Sequence, residues 1–281
     1  MKRIEIIYIL SSGHSGSTLL NLVLGTHKNA ISLGELKYLK SFVFNHKEKT
    51  RTIRLKCDCG KYHNACFFWS PVLKKINFQK LYPIQEGTLK RLEFIKQAGS
   101  IKNYEQLYKE ISNNGENVII DSSKDLTYLH FLLKSNKFDI KVLQITRDGR
   151  GVINSHEKIG YSTTSTYFSW LIGNLVSKIY LKIKLNKKNV YSLSYDLFTY
   201  NPKKYIQEIN KKFNLNISKD NFIQDINKLE FHNFGGNLMR WKKIDSIKYD
   251  QSWKKRMPKW KQFVLTILCY IPNKLWVYNK K

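Results

Sequence analysis

Two short stretches of the sequence carry residues suited to gripping anions. Residues 11–18 read SSGHSGST, and residues 147–155 read RDGRGVINS. In the first, Gly13 and Gly16 let the backbone turn tightly enough for consecutive N–H groups to converge on an anion. Ser15 stands between them, Ser17 and Thr18 add hydroxyls, and a following helix adds the partial positive charge of its N-terminus. In the second, Arg147 offers a planar fork of donors, and Ser155 brings a hydroxyl about two helical turns further on. An arginine fork and a hydroxyl together can hold a phosphate. The first stretch is not a Walker A loop, which needs G-x-x-x-x-G-K-[ST]. With Gly16 aligned to the second glycine, Ser11 stands at the first and Ser17 at the lysine. The loop therefore suits a terminal phosphate or sulfate rather than a magnesium-bound triphosphate. Each stretch alone also fits a plain structural role, as turn glycines in one case and as an arginine paired with Asp148 or another carboxylate in the other. Two such stretches at the ends of apolar runs in one chain favour ligand binding.

Titratable side chains stand nearby in the sequence. His14 lies inside the first loop, and its imidazole changes charge near neutrality. Glu35, in SLGEL, follows a short apolar segment; a carboxylate beside a bound anion has its pKa raised and accepts a proton more readily. Lys124, in DSSKD, follows another apolar run and either neutralises developing charge or pairs with Asp121 or Asp125. Cys57, Cys59, His63 and Cys66 are zinc-ligand types, but two cysteines one residue apart chelate awkwardly. The expectation is a structural knuckle of reduced or paired cysteines without metal. His156 reads as a helix-face residue and His232 as a brace for the glycine segment after it.

The elements needed to position these groups are legible in the periodicity. Ile4–Leu10 is a continuous apolar run of the kind found in buried parallel strands. A helix follows to about Leu24, with Ser17 as its expected N-cap. Residues 31–36 form a short strand or turn, 86–113 two helices, Val118–Ile120 and Lys141–Ile145 strands. Helices are predicted from Gly151 and over Thr163–Leu185, a strand over Val190–Ser194 and a helix over Pro202–Phe213. Strands alternating with helices predict an α/β fold, a central and mostly parallel sheet flanked by helices. With no repeat and no flexible linker, residues 1–281 are expected to form one domain, with 37–117 as a helical or irregular insertion.

The chain has 49 Lys and Arg against 21 Asp and Glu, a formal charge of +28. That favours anionic partners: a phosphorylated cofactor, an acidic glycan, nucleic acid or an anionic lipid surface. The charges are spread along the chain rather than interleaved with stacking aromatics on one platform, so nucleic acid is not the expected partner. No segment reaches the ~18 apolar residues of a membrane span, and no signal peptide is recognisable; the expected location is the cytoplasm. Residues 251–281 hold eight Lys and Arg and no acid, with Trp253, Trp260 and Trp276 interspersed. This basic, aromatic tail is either a membrane-surface element or a closing helix packed on the sheet.

With these residues in view, the sequence resembles the sulfotransferases that use 3′-phosphoadenosine 5′-phosphosulfate (PAPS) and release 3′,5′-adenosine bisphosphate (PAP). SGHSGSTLL resembles their 5′-phosphosulfate loop, and Arg147 to Ser155 their Arg–(seven residues)–Ser motif for the 3′-phosphate. SLGEL, CDCGKYHNACFFW, DSSKD, SYDL and HNFGGNLMRW extend the likeness over most of residues 4–255, to a bacterial-type branch. The resemblance implies a three-layer P-loop-like fold and a metal-free sulfuryl transfer to a hydroxyl. It implies that Gly13, His14, Ser15, Gly16, Ser17, Thr18 and Leu19 hold the 5′ end, and that Arg147 and Ser155 hold the 3′-phosphate. Tyr195 would contact adenine and Arg240 would close over the 3′-phosphate. His14, Glu35 and Lys124 become the catalytic candidates, with His14 where better-known relatives have Lys or Arg and Glu35 matching the base of tyrosylprotein sulfotransferases. The implied acceptor is a glycan or glycolipid hydroxyl, with tyrosine or a small phenol or alcohol as alternatives. A nucleotide kinase remains the competing enzyme class.

Overall fold

The computed structural model describes residues 3–44, 56–77, 81, 101–113 and 118–278. Five strands form one sheet in the order β2-β3-β1-β4-β5, where β1 is Ile4–Ser11, β2 Ala30–Ser32, β3 Val118–Lys124, β4 Phe138–Thr146 and β5 Val190–Ser194. β2 runs parallel to β3 and β4 parallel to β5. The class is α/β with a parallel sheet and flanking helices, as the alternation in sequence implies. β1 is buried from Ile6 to Leu10, which is why its sequence is continuously apolar rather than alternating. β3 and β4 are longer than their apolar cores suggest, because Asp121–Lys124 and Phe138–Ile140 continue the ladders.

The helices used below are α1 (Ser17–Leu24), α2 (Trp69–Lys74), α3 (Ile101–Ser112), α4 (Leu126–Leu132), α5 (Gly149–Glu157), α6 (Thr163–Lys184), α7 (Tyr195–Tyr200) and α8 (Lys259–Trp276). α1 begins at Ser17 itself, so the residue before it, Gly16, takes the cap position expected for Ser17. The first of the two helices expected over 86–113 lies outside the described residues; the second is α3.

By contact the chain divides into two compact units: unit 1 is Met1–Ile9, Thr18–Lys141 and Asn221–Ile244; unit 2 is Leu10–Ser17, Val142–Asp220 and Asp245–Lys281. In unit 2 the C-terminal segment docks on α5 and α6. Leu265 packs with Ile153, Trp253 and Met257, and Cys269 with Val152 and Trp170. Asn273 and Tyr278 bond the buried Asp148 carboxylate at 2.9 and 2.6 Å, next to Arg147. The tail packs as a helix on α5 and α6, and its other side is also apolar. Trp260, Phe263, Val264, Ile267, Leu268, Ile271 and Leu275 are exposed at helical spacing, as are Phe168, Ile172, Leu175, Val176, Ile179 and Ile183 on α6. Among the described residues no helix is long and apolar enough to cross a membrane.

Candidate active site

Each of the five strands ends at a residue singled out by the sequence: the His14 loop after β1, Glu35 after β2, Lys124 at the end of β3, Arg147 after β4 and Tyr195 after β5. The carboxyl ends of parallel strands are where open α/β sheets bind ligands, most of all where the strand order changes direction. Here that point falls between β1 and β4, since β1 connects toward β2 and β4 toward β5.

The loops that follow β1 and β4 touch within unit 2. Arg147 Nη1 donates to the His14 carbonyl at 2.9 Å, and Nη2 donates to Asp250 at 2.8 Å. The Tyr195 ring lies 4.8 Å from the Arg147 guanidinium and covers Gly16, where a Cβ would come within 2.0 Å of the ring. Gly16 has φ +88°, so both its backbone and this neighbour require glycine. His14 also has positive φ, +58°, and its ring meets His156 edge-on at 4.6 Å. Alternating left-handed residues are the geometry in which successive N–H groups form an anion-binding nest. Ser15 Oγ and Arg147 Nε are buried with no hydrogen-bond partner among the described residues. Ser155 sits in the second turn of α5 and donates to the Gly151 carbonyl at 2.9 Å. Gly151 lies against Arg147 Nε as well, where a Cβ would come within 3.1 Å, so one glycine touches both members of the Arg–Ser motif. Arg147 does not pair with Asp148, which is taken by Arg150 at 2.6 Å. Burial raises the Asp148 pKa, and Arg150 outweighs it to leave that carboxyl below its usual value. Burial pushes the His156 imidazole down, and its Nδ1 lies 3.1 Å from the Val152 carbonyl.

In unit 1, Glu35 and Lys124 meet because β2 and β3 pair in parallel register, Ser32 opposite Ile120, and both strands then end. Lys124 Nζ donates to Glu35 Oε1 at 2.6 Å, both side chains mostly covered. The Glu35 partner is therefore a cation rather than an anion, and Lys124 chooses Glu35 over Asp121 or Asp125. Asp125 instead caps α4 through the N–H groups of Thr127 and Tyr128. Asp121 accepts from the Tyr108 hydroxyl at 2.5 Å and from Ser123 N–H at 2.8 Å, and burial pushes its pKa up to about 6. Lys124 has φ +65°. Non-glycine residues in that region are strained and cluster at functional sites. Among the described residues only three do so: His14, Lys124 and Asn214, which ends a helix.

Two residues passed over in the sequence, and a third read there only as a brace, organise the rest of unit 1. Asn233 accepts from Asn21 Nδ2 at 3.0 Å and Ser32 Oγ at 2.8 Å, and donates to Asp58 at 2.6 Å. Asp58 also receives Arg240 Nη1, which donates to the Asn233 carbonyl as well, while Nη2 donates to the Lys56 carbonyl, each at 3.0 Å. Both terminal nitrogens of Arg240 are thus engaged inside unit 1, while its Nε, like that of Arg147, is buried with no hydrogen-bond partner among the described residues. Thr18 Oγ1 accepts Asn237 N–H at 3.1 Å, and Leu19 is buried behind it. His232 is the third: its Nδ1 lies 3.4 Å from both Cys57 and Cys66 Sγ, while His63 stacks on Phe234 at 3.8 Å. The cysteines are unpaired by disulfide. No sequence signal links Asp58, His232 and Asn233, because about 175 residues separate the partners.

This architecture is the fold of sulfotransferase domains. The chain is similar to the sulfotransferase domain of the Synechococcus PCC 7002 olefin synthase, at TM-score 0.56 and 18% identity over 96% of this chain and 94% of that one. It is similar to the sulfotransferase domain of the curacin biosynthetic pathway, at TM-score 0.52 and 16% identity over 95% and 98%. It is also similar to a sulfotransferase from Mycobacterium tuberculosis H37Rv, at TM-score 0.50 and 13% identity over 81% and 72%. No protein-family model and no curated protein sequence matches the chain.

Proposed function

We propose that this chain is a sulfotransferase that takes a sulfuryl group from PAPS and passes it to an acceptor hydroxyl, leaving PAP. The observation that carries this reading is the junction in unit 2 of a left-handed, glycine-built loop with an arginine of the next strand end, bonded at 2.9 Å. The residues there fit an anion. Ser15 Oγ and Arg147 Nε are buried donors without partners among the described residues, and the remaining Arg147 contact is an exchangeable carboxylate, Asp250. The lysine that a nucleotide kinase uses in this loop is absent.

PAPS would supply an activated sulfuryl group at its 5′ end and a 3′-phosphate as a handle. Arg147 holds that phosphate by exchanging Asp250 for it, and Ser155 joins by turning its hydroxyl from Gly151. The backbone from Gly13 to Leu19 holds the 5′ end, with hydroxyls from Ser15, Ser17 and Thr18. The Thr18 oxygen already accepts from Asn237, so its proton is left to donate outward. His14 donates to the leaving oxygen. Glu35 takes the proton of the acceptor hydroxyl, and Lys124 fixes the Glu35 carboxylate and adds positive charge. Arg240 is a structural cation in this reading. Sulfuryl transfer, like phosphoryl transfer, depends mostly on such positioning and charge.

The favoured acceptor is a carbohydrate or glycolipid hydroxyl, ahead of tyrosine or a small alcohol. The apolar stripes of α6 and α8 and a charge of +28 support an enzyme that docks on an anionic lipid surface. Removing the tail does not test this, since Asn273 and Tyr278 hold the loop beside Arg147. Changing Trp260, Phe263 and Ile267 to serine does: sedimentation with anionic vesicles should fall while nucleotide binding stays. The principal test is calorimetric titration with PAP and with magnesium ATP, followed by an acceptor screen with labelled donor. Tight binding of PAP with weak or no binding of ATP is expected. The reverse preference overturns the reading.

A further inference from the structure

The sulfur atoms of Cys57, Cys59 and Cys66 and a ring nitrogen of His232 all lie within 4.8 Å of one another in unit 1. Three of the four residues are buried and Cys59 is half-buried. Cys57 and Cys66 Sγ are 3.6 Å apart, and each is 3.4 Å from His232 Nδ1. In a tetrahedral zinc site with Zn–S of ~2.3 Å and Zn–N of ~2.0 Å, ligand atoms stand about 3.8 Å apart for two sulfurs and about 3.6 Å for sulfur and nitrogen. The three closest pairs meet those spacings before any ion is added. A disulfide needs ~2.05 Å, and it would leave a cysteine and the histidine over.

The backbone removes the objection raised by the C-x-C spacing. Gly60, at φ +81°, closes a turn in which its N–H donates to the Cys57 carbonyl at 2.9 Å, while Cys57 N–H donates to Lys61 O at 2.9 Å. Lys56 and Tyr62 bridge antiparallel across it. The chain therefore reverses between the two cysteines, as in a metal knuckle. Backbone N–H groups of Phe68 and Trp69, at the start of α2, point at the Cys66 sulfur, and such donors stabilise thiolate ligands. The His232 ring is held between Phe68, stacked at 5.2 Å, and Phe67, edge-on at 4.6 Å. Trp69 Nε1 donates to the His232 carbonyl at 2.6 Å.

We propose that Cys57, Cys59, Cys66 and His232 form a closed, structural zinc site. Binding leaves the ion with three thiolates and a neutral imidazole, and the three thiol protons go to solvent. A soft, three-sulfur, four-coordinate set of this kind suits zinc rather than a hard oxygen-seeking cation. The consequence reaches the candidate site through the chain itself. His232 leads to Asn233, which bonds Asp58, and then to Phe234, whose N–H donates to Leu33 at 2.8 Å and whose carbonyl accepts Glu35 N–H at 2.7 Å. The ion would pin the segment against which Glu35 is set.

The proposal stands apart from the sulfuryl-transfer reading and is tested on the full chain purified from metal-replete medium. Elemental analysis should find stoichiometric zinc. Replacement by Co²⁺ should give the intense d–d bands of a tetrahedral centre and a thiolate charge-transfer band. His232→Cys should keep the metal and shift the cobalt bands toward those of a four-thiolate site, whereas His63→Gln should leave the spectrum unchanged. Stripping the metal should lower the Tm by on the order of 10 °C, as expected when a ligand bound only by the folded state is lost. Substoichiometric zinc with a pale octahedral cobalt spectrum, a Cys57–Cys66 disulfide in non-reducing peptide maps, or loss of the metal site in His63→Gln would each overturn it.

Discussion

Arg147 and Arg240 are both buried arginines, each bonded to one carboxylate and to backbone carbonyl oxygen and each close to an aromatic ring. They differ in the partner. The Asp250 side chain facing Arg147 is 39% exposed, while the Asp58 facing Arg240 is 7% exposed and is also held by Asn233. An exposed partner is worth little to stability and is easily exchanged for a ligand anion. A closed pair cannot be opened without leaving a buried charge alone. Glu35–Lys124 lies between the two, with 14% and 19% exposed. The exposure of the counter-charge, more than the arginine itself, separates a group available for binding from one that holds the fold.

Breaking the intermediate pair should have the largest effect. Glu35→Gln removes the proposed proton acceptor but keeps the shape, and loss of a general base lowers kcat by about 10²–10⁴. The dissociation constant for PAP should not change. Turnover at the wild-type rate would leave Glu35 as a partner for Lys124 and no more. Arg147→Ala should come next. Losing charge-assisted bonds of ~1.5–3 kcal/mol each weakens PAP binding about 10²–10³-fold, with the unfolding midpoint nearly constant. Arg240→Met should do the opposite: about 3–5 kcal/mol of stability lost, because Asp58 is left buried without its cation, and PAP affinity kept in the folded protein. A folded Arg240→Met that no longer binds PAP would erase the distinction between the two arginines. Asp250→Asn sharpens it from the other side. With the competing carboxylate gone, PAP should bind about three- to tenfold tighter, and isothermal titration reads this directly.

The two arginines also mark how far the sequence could be read. The loop at 13–18 and the Arg147–Ser155 spacing are local patterns, and local patterns survive into the structure as strand, turn and helix. The strand order then places Arg147 beside His14, and nothing in either motif specifies that bond. For Arg240 the resemblance implied a phosphate, and its bond to Asp58 was not legible because Asp58 and Asn233 come from distant segments. His232 is the fourth member of the cysteine cluster for the same reason, whereas the nearer His63 is turned onto Phe234. The Glu35–Lys124 pair was hidden in the β2–β3 register. The tail was legible as apolar and basic, yet only packing shows that it has two apolar sides.

Asp121 offers the smallest effect and a third kind of partner. Its hydrogen-bond donors are neutral: the Tyr108 hydroxyl, Ser123 N–H and the Ser123 side chain. Burial dominates and lifts its pKa from 3.8 to about 6. The folded state therefore binds this proton more tightly than the unfolded chain does, so stability is greatest below about pH 4 from this group and declines as pH rises toward and through 6. Between pH 5 and 7 the loss is about 1 kcal/mol, from 1.36 kcal/mol per unit over the part of the titration in that range. Asp58 and Asp196, likewise lifted to about 6 by burial, add slopes of the same sign, so the wild-type curve alone does not isolate Asp121. The difference between wild type and Asp121→Asn does. Urea unfolding at the two pH values should show the wild type losing about 1 kcal/mol more than the variant. Equal losses would mean that the hydrogen bonds from Tyr108 and Ser123 offset the burial of Asp121 and hold its pKa near the usual value.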